Sequence, residues 1–226
     1  MVIAGASSGF GAALAHDLAA SGHQVVAGAR RPRPDVLRMR YVSVDLTDGD
    51  ATARFAQAAI EHLGRVDGLA YCAADPGAVG RAWQLDTDAF ARVLDVSLLG
   101  FVRLAGHLVP HMQLAGRGSI ITVGSQAART PVDLLAAYGA AKAALEQYTR
   151  CLAEELSGTG IRVNTIGIAA ETELAATHRA AKAALRGRPS PHSSLPDVAD
   201  SLPLARWLLS DQARHVTGQI IEANRP

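Results

Sequence analysis

Three polar side chains in the segment GSIITVGSQAARTPVDLLAAYGAAKAAL have types and a spacing that suit proton transfer. Tyr138 and Lys142 lie four residues apart in a predicted helix, so they share one face of it. Ser125 follows a predicted strand, Ser119–Val123, at the carboxyl edge where open α/β folds place ligands. Free tyrosine has a pKa of about 10, and a nearby ammonium lowers that value by stabilising the phenolate. The spacing alone is also common in alanine-rich helices, where such a tyrosine is simply a packed aromatic residue.

The segment AGASSGFGAALA near the N-terminus indicates a phosphate-binding turn. It follows an apolar run, Val2–Ala4, and opens a predicted helix, Gly11–Ser21. Glycines let the backbone turn tightly and let a phosphate approach, while the helix N-terminus offers free N–H groups. The candidate binding residues of this loop are Gly5, Ser7, Ser8, Gly9, Phe10 and Gly11. A plain Gly-Ser turn with a helix cap is the alternative, but the strand–loop–helix context favours a dinucleotide.

The stretch QVVAGARRPRP places positive charge at the tip of the second predicted strand, Val25–Ala29. Such a tip lies near the adenosine ribose of a bound dinucleotide, where an acidic residue would accept from the 2′-hydroxyl of NAD. Here Arg30 and Arg31 follow instead, and a guanidinium fork suits a 2′-phosphate. We therefore interpret Arg30 and Arg31 as binding the 2′-phosphate of NADP. A solvated basic loop and a nucleic-acid patch are the competing interpretations.

Short apolar strands alternate with longer amphipathic helices along the whole chain. The strands are fully apolar, which is typical of a parallel sheet covered by helices on both faces. Further predicted strands are 41–44, 68–72, 163–168 and 219–222, and further predicted helices are 47–63, 86–112, 134–156 and 197–209. These repeated βα units predict an α/β fold with a doubly wound parallel sheet in a single domain, residues 1–226.

Composition excludes several classes of protein. The chain has 226 residues, a formal charge of +1, 49% hydrophobic and 19% charged residues. It is thus long enough for one sizeable core, too apolar to be disordered, and too neutral for a dedicated nucleic-acid binder. No apolar run of membrane-spanning length and no signal peptide is recognised, so a cytoplasmic protein that binds no membrane is expected. Cys72 and Cys151 suggest neither a disulfide framework nor a zinc site.

One further pair has the spacing of metal ligands. His107 and His111 lie four residues apart, but Pro110 stands between them and no third ligand is apparent. We interpret both as helix-surface histidines, and no metal is predicted.

Taken together, these motifs resemble the short-chain dehydrogenase/reductase family over nearly the whole chain. The glycine loop has the family's GxxxGxG form, and Ser125 and the YxxxK pair Tyr138/Lys142 match in order and spacing. Asp45 in VDLTD, IRVN at 161–164 and VTGQ at 216–219 also match. The resemblance implies a Rossmann-type doubly wound fold. It also implies an NADP(H)-dependent oxidoreductase that reduces a ketone or oxidises a secondary alcohol.

The resemblance assigns roles to individual residues. Tyr138 would be the general acid/base, Ser125 would orient the substrate oxygen, and Lys142 would lower the Tyr138 pKa and hold the nicotinamide ribose. The family's cofactor-binding positions beyond the glycine loop fall on Arg30, Arg31, Asp45, Leu46, Cys72, Ala73, Tyr138, Lys142 and Thr172. Family members pair through their long helices, so a homodimer or homotetramer is expected.

Several positions depart from the family pattern. Ala4 replaces a threonine, YCAA at 71–74 replaces NNAG, and Ile168–Ala169 replaces Pro-Gly. The C-terminus reads EANRP instead of ending in paired glycines. Ser97 stands where the family has an asparagine thought to hold a relay water, so it is included with the catalytic residues. We read Cys72 as a small packed residue. The alternative function is a catalytically weak relative that binds NADP as a sensor or structural ligand.

The last functional segment is the expected substrate lid, residues 172–196. Its cationic side chains are His178, Arg179, Lys182, Arg186 and Arg188. These side chains either form a solvated helix face or attract an acidic or carrier-protein-bound substrate.

Overall fold

The computed structural model describes residues 1–31, 33–188 and 195–223. Its strands are β1 (Val2–Ala4), β2 (Val25–Ala29), β3 (Met39–Ser43), β4 (Gly68–Tyr71), β5 (Gly118–Gly124), β6 (Ile161–Ile168) and β7 (Ile220–Ala223). They form one parallel sheet in the order β3-β2-β1-β4-β5-β6-β7. Every residue of β1, β2, β4 and β5 is buried, as expected for strands covered on both faces.

Helices cover both faces of this sheet. They are α1 (Gly9–Ala20), α2 (Gly49–Leu63), α3 (Thr87–Leu94), α4 (Gly100–Ala115), α5 (Ala136–Glu155), α6 (Glu173–Arg186) and α7 (Leu202–Leu209). On one face, α2, α4 and α5 bury Phe55, Leu104 and Leu145. On the other, α1 and α7 bury Leu14 and Leu208. The predicted single-domain, doubly wound α/β fold is confirmed.

The predicted helix 86–112 is not regular. Between α3 and α4 the chain makes a π-helical turn at Asp95–Leu99, and α4 continues past Pro110. The Tyr71 hydroxyl, at the end of β4, donates to the carbonyl of Val96 within this turn. Gly100 leaves the room for it, because a Cβ there would overlap the Tyr71 hydroxyl oxygen. A long-range contact thus explains an irregularity that local periodicity could not predict.

Other boundaries moved by a few residues. Helix α1 begins at Gly9 instead of Gly11, because the glycine loop itself joins the first helical turn. The predicted helix 197–209 divides into a 3₁₀ turn, Val198–Ser201, followed by α7. The first part of the expected lid, up to Arg186, is α6, whereas residues 189–194 of that segment lie outside the described residues. So does most of the departure from the family at the C-terminus, residues 224–226.

The helical stretch Thr87–Ala115 is long and apolar enough to cross a membrane, when judged by length and composition alone. No apolar run of this length was predicted from the sequence. Phe101, Leu104 and Leu108 in it are completely buried against the sheet. The stretch therefore forms part of the core of the domain, and many apolar core helices have this composition.

Candidate active site

A cavity of about 500 Å³ opens at the carboxyl edge of the sheet. It lies where the chain order reverses, between β1 and β4, which is the usual ligand crevice of such sheets. Except for Ser97, the site residues predicted from the sequence all line it: Gly5, Ser7, Ser8, Gly9, Phe10, Gly11, Arg30, Arg31, Asp45, Leu46, Cys72, Ala73, Ser125, Tyr138, Lys142 and Thr172. The fold thus gathers residues from six loops into one cavity.

Backbone packing explains the glycines of the first loop. Gly5 has φ +83°, and a Cβ there would lie 2.5 Å from the Ala73 nitrogen. A Cβ on Gly11 would overlap the carbonyl oxygen of Gly5. At the N-cap of α1, Ser8 makes no side-chain capping hydrogen bond, and the first turn of the helix contains no acidic residue. Among the described residues, the backbone N–H groups of this first helical turn are therefore suited to bind an anionic group, such as a dinucleotide phosphate.

Basic side chains form the rim of the cavity beside this loop. Arg30 and Arg31 are exposed and follow the end of β2. Arg33, which the sequence analysis did not assign to the site, donates from Nη2 to the carbonyl of Ser7 at 3.0 Å. The signal in the sequence that could have identified Arg33 was its place in the run RRPRP, residues 30–34. The arrangement ties the basic segment to the glycine loop.

Asp45 also lines the cavity and follows β3, the strand that pairs with β2. Its Oδ1 accepts from the backbone nitrogen of Thr47 at 3.0 Å and from the Thr47 hydroxyl at 2.8 Å. These two hydrogen bonds lower the pKa of Asp45. The carboxylate is therefore held charged and oriented by its own turn.

Ser125 and Tyr138 lie together at the inner end of the cavity. Ser125 directly follows β5, and its Oγ accepts from the backbone nitrogen of Ala127 at 3.2 Å, which closes a 3₁₀ turn at Gln126–Ala128. Tyr138 stands in the first turn of α5 and is 8% exposed. The Ser125 hydroxyl is also near enough to the Tyr138 phenol to lower the pKa of that phenol. One serine thus links the end of a strand to the start of a helix.

Lys142 is completely enclosed one turn beyond Tyr138. Its Nζ donates to the carbonyl of Val123 at 2.7 Å and lies 5.8 Å from the centre of the Tyr138 ring. Burial lowers the pKa of Lys142 to about 8. Burial also raises the pKa of Tyr138, and the Ser125 hydroxyl opposes that rise only in part. The expected lowering of the Tyr138 pKa by Lys142 is not found in this structure.

Ser97 and Cys72, which both replace residues of the family pattern, lie in different places relative to the cavity. Ser97 is fully buried in the π-helical turn, does not line the cavity, and its Oγ bonds no residue in the described chain. Cys72 does line the cavity, and burial raises the pKa of its thiol to about 12, as for an inert packed residue. Among the described residues, no three His, Cys, Asp or Glu side chains are grouped to hold a metal ion.

Helix α6 forms the outer wall of the cavity. Thr172 begins it, with Oγ1 accepting from the Ala175 nitrogen at 3.1 Å. A Cβ on Gly9 would lie 3.5 Å from the Thr172 Cβ, so the start of this helix lies close to the glycine loop. His178 packs its ring edge-on to Tyr138, with centres 4.9 Å apart, and donates from Nε2 to the Pro76 carbonyl at 3.0 Å.

The lid cations divide between the wall of the cavity and ion pairs. His178 is 7% exposed, and burial lowers its pKa, so it is part of the pocket wall and not a surface cation. Arg179 pairs with Glu171, and Arg186 pairs with Asp133 at 2.6 Å. These ion pairs fasten the helix to neighbouring loops. The sequence could not indicate them, because each partner is set by the fold.

Comparisons with known proteins agree with this geometry. The family described as enoyl-(acyl carrier protein) reductase matches residues 5–225. A cis-4-hydroxycyclohexanecarboxylate dehydrogenase from Sinomonas cyclohexanicum is 32% identical over 230 residues, which cover 97% of this chain and 92% of that protein. The 3-oxoacyl-[acyl-carrier-protein] reductase MabA from Mycobacterium bovis is 28% identical, over 98% of this chain and 89% of its own.

Solved structures give the same result. A short-chain type dehydrogenase/reductase from Mycobacterium ulcerans superposes with a TM-score of 0.84 at 30% identity, covering 98% of this chain and 86% of that one. A 3-ketoacyl-(acyl-carrier-protein) reductase from Brucella melitensis, complexed with NADH, gives 0.86 at 28% identity, covering 98% and 95%. The nearly complete family match and these full-length relatives lead to one conclusion: the chain is a member of the short-chain dehydrogenase/reductase family of oxidoreductases.

Proposed function

We propose that this protein transfers hydride between NADP(H) and a small molecule, reducing a ketone or oxidising a secondary alcohol, with Tyr138 as the general acid/base. The observation that carries the proposal is the meeting of Ser125, Tyr138 and Lys142 with the glycine loop in one cavity. The relatives support the same chemistry, since one is named for a hydroxycyclohexane substrate and another for a 3-oxoacyl substrate.

The residues divide the work in the following way. When bound, the nicotinamide supplies or accepts the hydride. The Ser125 hydroxyl donates to the substrate oxygen and holds it beside the Tyr138 phenol. Tyr138 delivers its proton to that oxygen in reduction and removes one from the alcohol in oxidation. The Lys142 ammonium, protonated below its pKa of about 8, stands 5.8 Å from the centre of the Tyr138 ring and binds the ribose.

We propose NADP(H) as the preferred cofactor. Arg30 and Arg31 at the end of β2 support it, because an exposed guanidinium pair suits a 2′-phosphate and the tip of β2 itself carries no carboxylate. Arg33 adds a third cation, and its bond to Ser7 places it beside the phosphate-binding turn. The glycine cradle and the uncapped N-terminus of α1 fit the pyrophosphate.

The second candidate is the catalytically weak relative that binds NADP as a sensor or structural ligand. Ser97 favours it, because its hydroxyl is buried away from the cavity and offers no contact to a relay water there. On this account the cofactor binds, but no ketone is turned over at a useful rate.

We further propose a cytoplasmic homodimer or homotetramer. Both cysteines are free, which suits a reducing compartment. Leu99 and Leu114 stand 43% and 90% exposed at the two ends of α4, and a partner helix would cover them. Light scattering should give a mass of two or four chains. A monomer at micromolar concentration would contradict the assembly.

The direct test supplies purified protein with NADPH or NADH and a panel of cyclic ketones, 3-ketoacyl thioesters and the matching secondary alcohols. We expect turnover of at least one pair in both directions, with a lower KM for NADPH than for NADH. Tight NADPH binding without turnover of any pair would instead favour the sensor.

A further inference from the structure

A cluster of ions lies directly beneath the Ser125–Tyr138–Lys142 group, and the mechanism above does not use it. Glu146 follows Lys142 by one turn of α5 and is 3% exposed. Its Oε1 accepts from Nη1 of Arg129 at 2.6 Å. The other arm of Arg129 pairs with Glu222 on β7. A single guanidinium therefore joins the loop after Ser125 to helix α5 and to the edge of the sheet.

The neighbouring strands leave space for this cluster. A Cβ on Gly124, the residue before Ser125, would lie 2.7 Å from Oε1 of Glu146. A Cβ on Gly167 would lie 3.3 Å from Oε1 of Glu222 and 3.4 Å from Nη2 of Arg129. The two glycines thus let the carboxylates and the guanidinium reach the backbone of β5 and β6.

The turn that carries Ser125 is held between this cluster and α5. Arg129 closes the 3₁₀ turn Gln126–Ala128, donating its backbone nitrogen to the Gln126 carbonyl. On the other side, a Cβ on Gly139, next to Tyr138, would lie 2.7 Å from the Ala127 carbonyl oxygen. The position of the turn relative to Tyr138 therefore depends on where Arg129 is anchored.

We propose that Arg129, Glu146 and Glu222 are positioning residues: their ion cluster fixes the Ser125 turn against Tyr138, and the Glu146 carboxylate keeps Lys142 charged. This inference rests on the proposed function, because it assigns the cluster to the reaction of Ser125, Tyr138 and Lys142. A buried carboxylate without its guanidinium would be costly, so the three residues act as a unit.

Electrostatics support the second half of the proposal. The groups facing Lys142 are Cys72 after β4, Tyr138 and Glu146 on α5, and the Val123 carbonyl on β5. Burial lowers the pKa of Lys142, and the neighbouring groups Cys72 and Glu146 oppose this effect. The Cys72 thiol stays protonated near neutral pH, since burial raises its pKa to about 12. Glu146, which is paired with Arg129 and stands one turn from Lys142 on α5, is the acidic side chain proposed to favour the ammonium.

The test compares Glu146→Gln with the parent and with Glu154→Gln, an exposed residue of the same helix. NADPH affinity and kcat are measured from acid pH up to the Lys142 pKa. Without the carboxylate, Lys142 loses its proton at lower pH, so NADPH affinity should begin to decline at a lower pH than in the parent. A displaced Ser125 turn should also lower kcat by about tenfold or more, even at acid pH. Glu154→Gln should match the parent.

Arg129→Gln and Glu222→Gln separate the two parts of the proposal, the positioning of the Ser125 turn and the charge of Lys142. Both should lower kcat through the turn, and Glu222→Gln should leave the pH dependence of NADPH binding unchanged. The Arg129→Gln, Glu146→Gln double variant should lose no more kcat than the worse single variant. If Glu146→Gln does not fold, Glu222→Gln decides the positioning claim alone.

The outcomes are distinct. Variants with the kcat and pH profile of a functional parent overturn the inference and leave the proposed function intact. A parent that neither binds NADPH nor turns over a ketone overturns the proposed function, and the inference with it.

Discussion

The two walls of the cavity are held by different kinds of contact. At the glycine loop, backbone meets backbone: Gly5 touches Ala73, and Gly11 touches Gly5. Opposite it, side chains are joined across long stretches of sequence, as when His178 bonds the Pro76 carbonyl 102 residues away. The first wall, at the glycine loop, leaves no room between its backbone segments, so even one added methyl group would disturb it. The second wall can be adjusted by exchanging side chains, which suits the side that selects a substrate.

Of the changes that compare the two walls, the largest effect is expected where backbones touch. Gly11→Ala places a methyl group against the Gly5 carbonyl and 2.9 Å from the Cys72 Cβ. Overpacking of this kind costs about 1–3 kcal/mol of unfolding free energy, and we expect NADPH affinity to fall by roughly a hundredfold as the loop moves. Denaturant unfolding and cofactor titration measure the two effects.

Gly49→Ala is the matched control, because Gly49 begins α2 and no atom lies within 4 Å of a Cβ there. Its stability should change by less than about 0.5 kcal/mol. Equal NADPH affinity in Gly11→Ala and the parent would show that the loop does not hold the cofactor.

A smaller effect is expected at the rim of the same wall. Arg30→Ala removes a guanidinium proposed to contact the 2′-phosphate, and a hydrogen bond to a charged group contributes about 1.5–3 kcal/mol. The preference for NADPH over NADH should therefore shrink by roughly ten- to a hundredfold, while NADH affinity stays unchanged. Titrations with both cofactors measure it, and Arg54→Ala, an exposed arginine on α2, should alter neither. A parent that binds both cofactors equally would refute the phosphate assignment.

The smallest effect is expected at the second wall, which α6 forms. Asp133 pairs with Arg186 of α6 at 2.6 Å and with Arg81 at 3.8 Å, and all three side chains are accessible to solvent. Because exposed ion pairs contribute little, Asp133→Asn should raise the substrate KM by no more than about fivefold. NADPH affinity should not change. A loss of cofactor binding instead would mean that α6 also supports the first wall.

The difference between local sequence patterns and contacts between residues far apart in sequence determines which features could be predicted from the sequence. The glycine loop, the apolar strands and the Tyr138–Lys142 spacing are local patterns, and each lies where it was predicted. The π-helical turn depends on Tyr71, which is 25 residues from Val96 in sequence. The pocket role of His178 depends on Pro76 and Tyr138 in the same way. Chain periodicity carries no information about such partners.

The central claim is that Tyr138 moves the proton. Tyr138→Phe removes one hydroxyl from a residue that is already packed, and Tyr148→Phe removes the same atom elsewhere on α5, outside the cavity. Using a ketone that the parent reduces, kcat should fall by about 10²–10⁴-fold in Tyr138→Phe. NADPH affinity and stability should stay near those of the parent, and Tyr148→Phe should keep the parent kcat. Reduction of the ketone by Tyr138→Phe at the parent rate would contradict the account.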